Sequence, residues 1–170
     1  MEADREPFAA LNADPAVMEY FPASLTRQQS DSLIDAIESC FDQRGFGLWA
    51  VEVRETQGFI GFTGLNVPSL EAHFTPAVEV GWRLVRAAWG NGYATEAARG
   101  ALAFGFEEIG LDQIVSFTSA ENMRSRAVME RIGMTRNPDD DFEHPGLADA
   151  DPLRGHVLYR IDSASATDGR

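Results

Sequence analysis

The chain has 170 residues, of which 44% are hydrophobic, and its formal net charge is −13, with 14 arginines and no lysine. This length fits one domain with a substantial core, and the absence of lysine excludes a P-loop nucleotide site, which requires Gly-Lys-Ser/Thr. An acidic exterior disfavours nucleic acid and favours a cationic substrate, although solubility alone would also explain the charge.

The N-terminus and the cysteine usage indicate the compartment. The chain begins with an acidic stretch and has neither a signal-peptide apolar region nor an apolar run long enough to cross a membrane. Cys40 is the only cysteine, which excludes an internal disulfide and a cysteine-based zinc cluster. Within an amphipathic helix it is more typical of a buried thiol than of a nucleophile. We therefore expect a cytoplasmic protein without a metal, a membrane or a nucleic acid partner.

The first part of the chain predicts helices followed by a hairpin. Thr26 and Gln29 have the spacing of a capping box, and the helix that they start is expected to end before Gly45. Period-two patterns then predict two strands joined by a short turn, followed by a loop. The predicted strands are residues 48–54 and 59–65, the turn is 56–58, and the loop is 66–76.

A strand, a glycine-rich turn and a helix come next. Apolar and polar residues alternate across residues 77–85, which is typical of a strand. The turn at 89–94 contains two glycines, and a helix is predicted from about residue 93 to 108, so the unpaired N–H groups of its first turn face the glycines. Such an arrangement binds an anion, most often a phosphate.

A dinucleotide site is a weaker interpretation of the same turn. Its fingerprint needs a third glycine three residues after Gly92, where this chain has Thr95, and Asp112 precedes the next strand instead of ending it. The preceding strand also carries Glu79 and Arg83, whereas a central parallel strand is nearly all apolar. The glycine spacing therefore favours a different phosphate ligand.

A second strand–helix unit follows the first. A strand at 113–118 leads to Asn122 and Ser125, and a helix then runs to Ile132 before Gly133. Between residues 83 and 136 the charges sum to +1, while the rest of the chain carries −14. The region expected to hold an anion is therefore not acidic, unlike the rest of the chain. The predicted remainder is a polar loop at 137–155, a last strand at 156–160, and a disordered polar tail at 162–170.

The two units together resemble the GNAT superfamily of acyl-CoA-dependent N-acyltransferases. Gly90-Asn91-Gly92-Tyr93-Ala94 is similar to the pyrophosphate loop of that family, and the strand before Asn122 and Ser125 is similar to its second signature. The amino-acid sequences of both segments resemble those of the branch that includes ribosomal-protein N-terminal (alanine/serine) acetyltransferases. The resemblance covers about residues 4–160, and the paired signatures are more specific than either one alone.

The resemblance implies an α/β (α+β) fold. We expect a mixed, mainly antiparallel twisted sheet flanked by helices, with splayed central strands forming the acetyl-CoA cleft. One domain is expected over residues 1–161. Members of the family usually begin with a strand, whereas here residues 1–4 lead almost directly into a helical segment at 8–11, so we expect the first edge strand to be absent.

The resemblance also assigns residues to acetyl-CoA. The backbone amides of Gly90, Asn91, Gly92, Tyr93 and Ala94, supported by the helix dipole, are expected to hold the pyrophosphate, with an ordinary tight turn as the alternative. The backbone groups at the end of the preceding strand, in Leu84, Val85 and Arg86, are expected to pair with the pantetheine arm. In the second unit, Asn122 and Ser125 are expected to form hydrogen bonds with the same arm.

Acetyl transfer to an amine needs a base, a donor for the developing oxyanion and a proton for the leaving thiolate. Glu79 is the candidate base, acting through water, with a solvent-facing strand glutamate as an even alternative. Gly81 predicts a bulge or a close backbone approach. The resemblance implies that this strand splays from its neighbour and that the thioester carbonyl meets a free backbone N–H there, which makes the Gly81–Trp82 backbone the candidate oxyanion donor, with relief of packing as the alternative. Many relatives place a tyrosine acid where this chain has Met129. Ser125 matches a residue that relatives in the ribosomal-protein branch use, so the resemblance makes it the candidate acid, with a backbone hydrogen bond in the first helical turn as the alternative.

The polar loop is expected to shape the acceptor pocket. Asp140 would attract an amine, and Phe142 and His144 would form a wall, with a solvated acidic loop as the alternative; the spacing of its carboxylates matches no calcium site. The resemblance implies direct attack by a primary amine, either a protein N-terminus or a small molecule, in a monomer or homodimer. Because Ala87 and Met129 depart from the family's pattern, a CoA-binding regulatory or interaction module with little turnover is the alternative function.

Overall fold

Four helices and seven strands form the part of the chain that the computed structural model describes, residues 2–164. The helices are α1 (Arg5–Ala13), α2 (Arg27–Arg44), α3 (Tyr93–Glu107) and α4 (Met123–Arg131). The strands are β1 (Leu48–Val53), β2 (Gly58–Asn66), β3 (Glu79–Leu84), β4 (Gln113–Ser119), β5 (Thr135–Arg136), β6 (Phe142–Glu143) and β7 (Gly155–Asp162). Short 3-10 turns lie at Glu2–Asp4, Arg86–Ala88 and Pro138–Asp140.

The capping box that starts α2 is confirmed. The Thr26 hydroxyl accepts a hydrogen bond from the Gln29 backbone N–H at 3.2 Å, and the Gln29 side chain accepts one from the Thr26 N–H at 2.8 Å. These bonds satisfy two donors that the first turn of a helix leaves unpaired. At the other end, Gly45 adopts the left-handed conformation, φ 75°, and stops the helix as the sequence predicts.

The strands form one mixed sheet in the order β1-β2-β3-β4-β7-β5, with β6 paired to β7. All neighbours are antiparallel except β3 and β4, which are parallel. The expected α/β class with a mainly antiparallel sheet is therefore confirmed. The two-residue strands β5 and β6 are not anticipated by the sequence patterns, because so few residues show no period.

The two central strands separate soon after they meet. β3 and β4 share one paired position, Glu79 with Val115, where the Val115 N–H donates to the Val78 carbonyl at 2.9 Å. Beyond this pair no bridge joins the two strands within the described residues. The sheet therefore opens into a cleft between β3 and β4, as the fold implies.

Neither of the two alternatives predicted for Gly81, a bulge or a close backbone approach, is present. β2 and β3 stay in continuous register from the Gly61–Leu84 pair to the Asn66–Glu79 pair, with Gly81 opposite Gly64. The irregularity of this half of the sheet lies instead in β1, between Val51 and Glu52. An added Cβ at Gly81 meets no atom within 4 Å, so this glycine borders open space.

The sheet buries a different core on each face. On one face, Val80 of β3 and Leu65 of β2 pack with α3 residues such as Leu102. On the opposite face, Phe62 of β2 packs with Phe8 of α1 and residues of α2. Alternation along β3 thus sends Glu79, Gly81 and Arg83 toward the α1–α2 face.

The ends of the chain agree with the sequence in part. Residues 2–47 contain helices and turns but no strand. The last strand is longer than predicted and includes Asp162, so the expected tail boundary at 162 is wrong by at least one residue. The remainder of the predicted tail, 165–170, lies outside the described residues.

Candidate functional site

A cavity of about 1050 Å³ occupies the cleft where β3 and β4 separate. It extends from the glycine turn before α3, past the first turn of α4, to the segment between α1 and α2. Most of the residues that the sequence assigns to a site line this one space. They are Glu79, Gly81, Trp82, Leu84, Gly90, Gly92, Tyr93, Ala94, Asn122, Ser125 and His144.

The glycine turn presents backbone amides to the cavity. Gly90 and Gly92 have φ values of 79° and 85°, a conformation that glycine adopts without the strain of a Cβ. Helix α3 begins directly at Tyr93, and no side chain caps it, so the N–H groups of its first turn have no such partner. The turn is therefore equipped to bind an anion through backbone donors.

Asn91 stabilises this turn from the outside. Its side-chain amide donates to the carbonyl oxygens of Ala88, at 3.3 Å, and Trp89, at 3.1 Å. The indole N–H of Trp89 in turn donates to the Leu84 carbonyl at 2.9 Å, which fixes the turn against the end of β3. Asn91 is exposed and does not line the cavity, so its contribution to a ligand is limited to its backbone.

The register of β3 identifies an unpaired donor in the cleft. The Val85 N–H donates to the Ile60 carbonyl of the β2 side at 2.9 Å, so the N–H groups of alternate residues, including Gly81, point toward β2. The N–H of Trp82 must then point toward β4. Because β4 pairs with β3 only at Glu79, the Trp82 N–H has no strand partner and faces the cleft.

The structure does not bring Val85 and Arg86 into the cavity. Both backbone groups of Val85 are occupied, the N–H by Ile60 and the carbonyl by the Ala88 N–H at 2.9 Å. Arg86 is exposed, and its carbonyl accepts from the Trp89 N–H at 3.1 Å. Only Leu84 of this predicted trio lines the cavity, and its N–H points toward the cleft by the same alternation as that of Trp82.

Glu79 is an acid with a strongly altered proton affinity. It lies at the point where β3 and β4 part, and burial raises its pKa to about 8, with a hydrogen bond from Asn66 offsetting part of the rise. A carboxyl group with this pKa is protonated at low pH and becomes a base near neutral to mildly alkaline pH. It also borders a second, more open pocket together with Asn66 and His144, which gives it access to solvent.

Asn122 and Ser125 form the start of α4 at the cavity wall. The Asn122 side-chain oxygen accepts from the Ser125 N–H at 3.2 Å, and its amide donates to the Thr118 hydroxyl at 3.0 Å. Asn122 therefore caps the helix and retains one amide hydrogen for a ligand. Met129 lines the cavity as an apolar residue, 1% exposed, and supplies no proton.

Sequence reasoning missed the hydroxyl groups of β4. Ser116, Thr118 and Ser119 all line the cavity. Ser119 is 1% exposed, and its hydroxyl oxygen has no hydrogen-bond partner among the described residues. A buried hydroxyl without a partner costs free energy, so a ligand in the cavity would relieve it. The signal in the sequence was the run of Ser and Thr at the end of this strand.

The acidic loop does not supply free carboxylates to the cavity. The Asp140 side chain pairs with Arg160 at 3.1 Å, and Asp141 pairs with Arg136, which lowers the pKa of Asp141. The predicted role of Asp140 in attracting an amine is therefore not supported by its placement. The loop is held by ion pairs that the sequence does not reveal, because their arginines lie in β5 and β7.

Phe142 also lies outside the cavity, whereas His144 lines it. Phe142 packs against Phe74 and Phe117 in an aromatic cluster, with ring centroids 5.0 and 5.7 Å away. The ring of His144 lies 5.0 Å from that of His156, which also lines the cavity. Burial lowers the pKa of His156, so this imidazole is neutral at physiological pH.

The segment between α1 and α2 forms the opposite wall and was also missed. Val17, Tyr20 and Phe21 line the cavity from this side, and Glu19 makes an ion pair with Arg124 of α4. The Arg124 guanidinium lies over the ring of Trp89 at 4.5 Å from its centroid. These contacts join the segment to the glycine turn and enclose the cleft.

Within residues 2–164, no group of three His, Cys, Asp or Glu side chains is arranged to hold a metal ion. In the same part of the chain, no helix is long and apolar enough to span a membrane.

The family of acetyltransferase (GNAT) domains matches residues 1–135, more than three quarters of the chain. The uncharacterized protein YkkB of Bacillus subtilis is 33% identical over 129 residues, which cover 75% of this chain and 73% of that protein. The FsC-acetyl coenzyme A-N(2)-transacetylase of Aspergillus fumigatus is 36% identical over 138 residues, which cover 77% of this chain and 58% of that protein.

Solved structures of acetyltransferases share the fold. An acetyltransferase from Agrobacterium tumefaciens superposes with a TM-score of 0.76 at 28% identity, covering 95% of this chain and 86% of that one. A spermidine N-acetyltransferase from Vibrio cholerae, solved with CoA and spermine, has a TM-score of 0.75 at 15% identity and covers 98% and 94%. A ribosomal-protein-alanine N-acetyltransferase from Brucella melitensis has a TM-score of 0.72 at 13% identity and covers 95% and 96%.

Proposed function

Because this chain belongs to the GNAT family of acetyltransferases, whose acetyl donor is acetyl-CoA, we propose that it N-acetylates a primary amine by direct attack in a ternary complex. The observation that carries the proposal is the single cavity in which the glycine turn, the unpaired Trp82 N–H and the acid Glu79 meet. The donor supplies an activated acetyl group as a thioester. The residues of the chain then have to hold it, position the amine and move protons.

The polar groups of the cavity fit a CoA molecule. The unpaired amides of residues 90–94 and the positive end of the α3 dipole suit a pyrophosphate. The Leu84 N–H, the Asn122 amide and the orphaned Ser119 hydroxyl suit the amide groups of a pantetheine arm. The Ser119 hydroxyl and the turn amides have no partner among the described residues, and Asn122 keeps one amide hydrogen beyond its bond to Thr118.

Glu79 is suited to the role of the base. Attack requires a neutral amine, yet a primary amine is mostly protonated at neutral pH, with an ordinary pKa of about 8 to 10.4. A carboxylate whose pKa is about 8 is well matched to accept that proton, directly or through water. The proton then leaves through the open pocket that Glu79 shares with Asn66 and His144.

The backbone of β3 is suited to stabilise the transition state. As the amine nitrogen bonds to the carbonyl carbon, negative charge develops on the carbonyl oxygen, and a fixed N–H in a water-poor cleft stabilises it. The Trp82 N–H is the donor that the divergence of β3 and β4 leaves free. The carbon–sulfur bond then breaks, and the Ser125 or Ser119 hydroxyl, both at the cavity wall, can donate a hydrogen bond to the departing sulfur.

The acceptor is either a protein N-terminus or a small amine. Among the proteins that share the fold, one is named for ribosomal-protein alanine and another for spermidine, and the relative from Aspergillus fumigatus is named for an N(2) position. All three names describe acylation of nitrogen, which supports an amine acceptor here.

The test is release of free CoA thiol from acetyl-CoA in the presence of a panel of amines and N-terminal peptides. We expect acceptor-dependent release by the intact protein and loss of release in Glu79→Gln with CoA affinity unchanged. CoA binding without release from any acceptor would instead indicate a binding module. Failure to bind CoA would overturn the assignment of the glycine turn.

A further inference from the structure

Arg83 is a largely buried cation without an acidic partner. Within residues 2–164 it makes no ion pair, whereas other half-buried arginines such as Arg136 and Arg160 pair with Asp141 and Asp140. Burial lowers the pKa of Arg83 to about 10, the direction expected for a positive charge that no carboxylate compensates. Leaving a charge unpaired inside a protein is costly, so its retention calls for a functional explanation.

The guanidinium of Arg83 is held in place, but not all of its hydrogen-bond donors have a partner among the residues described. Its Nη1 donates to the side-chain oxygen of Asn12, a residue that is 0% exposed and itself donates to Ser30 at 3.3 Å. The guanidinium carbon lies over the ring of Phe21, 4.2 Å from its centroid, and 5.3 Å from the Phe62 centroid. Its Nε is buried and has no hydrogen-bond partner among the residues described.

These contacts leave one end of the guanidinium free. Nη1 is taken by Asn12, and the guanidinium carbon lies over the ring of Phe21, whereas neither Nε nor Nη2 is bonded within residues 2–164. Nε is buried, so Nη2 is the donor that a ligand in the cavity reaches first, and a charge-assisted hydrogen bond from arginine to a carboxylate is stronger than one to a neutral group.

Arg83 lies in the cavity at a distance from the other charged group of β3. Arg83, Gly81 and Glu79 occupy alternate positions of the strand and face the same side, and all three line the cavity. Their Cα atoms span roughly 13 Å from Glu79 to Arg83 at the rise of an extended strand. The acceptor side of the cleft therefore has a base at one end and an unpaired cation at the other, with open space at Gly81 between them.

We propose that Arg83 is a specificity residue that binds a carboxylate of the acceptor, so that the substrate is an amine that also carries an acid group. This inference rests on the proposed N-acetyltransferase function and names its substrate class. The unpaired arginine would repel a polyamine, while Asp140 and Asp141 of the acidic loop are paired with Arg160 and Arg136. Free amino acids and peptides with an acidic group close to the N-terminus fit this pattern.

The first experiment compares matched acceptors. Each of a set of α-amino acids, straight-chain ω-amino acids and acidic N-terminal peptides is assayed against its uncharged carboxamide by thiol release. We expect the intact protein to favour the acid forms by at least tenfold in kcat/KM, mainly through KM. In Arg83→Gln the preference is lost, in Arg83→Lys it is partly kept, and CoA affinity is unchanged in both.

The second experiment works without a known acceptor and observes the intact protein, with a conservative variant used only to identify the signal. The Nε–H group of Arg83 is observed by nitrogen-15 NMR in the protein saturated with CoA, and its signal is identified by its absence in Arg83→Lys. We expect the signal to move when the carboxylic acids of the same set are added and to stay unchanged with their amides.

Two results would overturn the proposal. One is equal use of the acid and amide forms, or a preference that persists in Arg83→Gln. The other is an Arg83 Nε–H signal that responds to none of the carboxylic acids. Failure of the proposed function looks different, because no acceptor would then cause thiol release from acetyl-CoA, whereas the NMR signal would still respond to the carboxylic acids.

Discussion

The two ends of the cleft are built from different parts of the polypeptide. At the cofactor end, the turn at 90–94 and the start of α3 come from one continuous stretch and act through backbone amides. At the acceptor end, Glu79 and Arg83 of β3, Phe21 and His144 come from three separate segments and act through side chains. A backbone site is fixed by local conformation and tolerates many side chains. A side-chain site depends on the identity of each residue, so we expect the specificity of this protein to be set at the acceptor end.

The largest effect is expected at the acceptor end, from Glu79→Gln. Removing a general base typically lowers the rate by about 10²- to 10⁴-fold, and we expect kcat/KM for acetyl transfer to fall within that range. The affinity for CoA, measured by calorimetry, should stay within twofold because the cofactor end is untouched. A variant that keeps more than a third of the activity would show that water alone removes the proton.

The same carboxyl group makes both activity and stability depend on pH. Burial raises the pKa of Glu79 from 4.5 to about 8, so the active carboxylate accumulates, and kcat/KM rises, as pH approaches 8. Between these values the folded state binds one proton more than the unfolded state, so this group's stabilisation is lost as pH rises through the folded pKa.

Glu79→Gln isolates this effect. The difference in the free energy of unfolding, variant minus intact protein, should increase by on the order of 3 kcal/mol between pH 5 and pH 8. Denaturant titrations at several pH values measure the difference, and His144 and His156, present in both proteins, cancel in the comparison. A difference that does not change with pH would mean that Glu79 ionises normally.

An intermediate effect is expected at the cofactor end, from Gly92→Ala. Gly92 has φ 85°, and a side chain in the left-handed conformation costs about 1–2 kcal/mol, although no atom lies within 4 Å of the added Cβ. The turn should relax and the Kd for CoA should rise about tenfold, with the acceptor KM little changed. Gly100→Ala is the matched control, because Gly100 lies within α3 with equally open surroundings and no positive φ. It should leave CoA affinity unchanged and raise stability slightly.

The contrast between the ends also explains what the sequence could and could not predict. The capping box at Thr26, the glycine turn and the strand–helix units are local patterns, and each was recognised within a residue or two. The unpaired Trp82 N–H follows from the divergence of β3 and β4, which the family resemblance implied and no local pattern shows. Arg83 and Ser119 were missed because an unsatisfied group is defined by the absence of a partner, and partners are set by tertiary packing.

The smallest effect is expected from Asp140→Asn, which tests whether loop acidity recruits the amine. Asp140 pairs with Arg160 and does not line the cavity, so the substitution should change the acceptor KM by less than twofold. Loss of one partly exposed ion pair should lower the free energy of unfolding by about 1 kcal/mol or less. The measurement is the acceptor KM of the variant and of the intact protein, from steady-state kinetics at low and high salt. A KM that rises severalfold at low salt would restore the acidic loop as an electrostatic guide for a cationic acceptor, and would place part of the specificity outside the cleft.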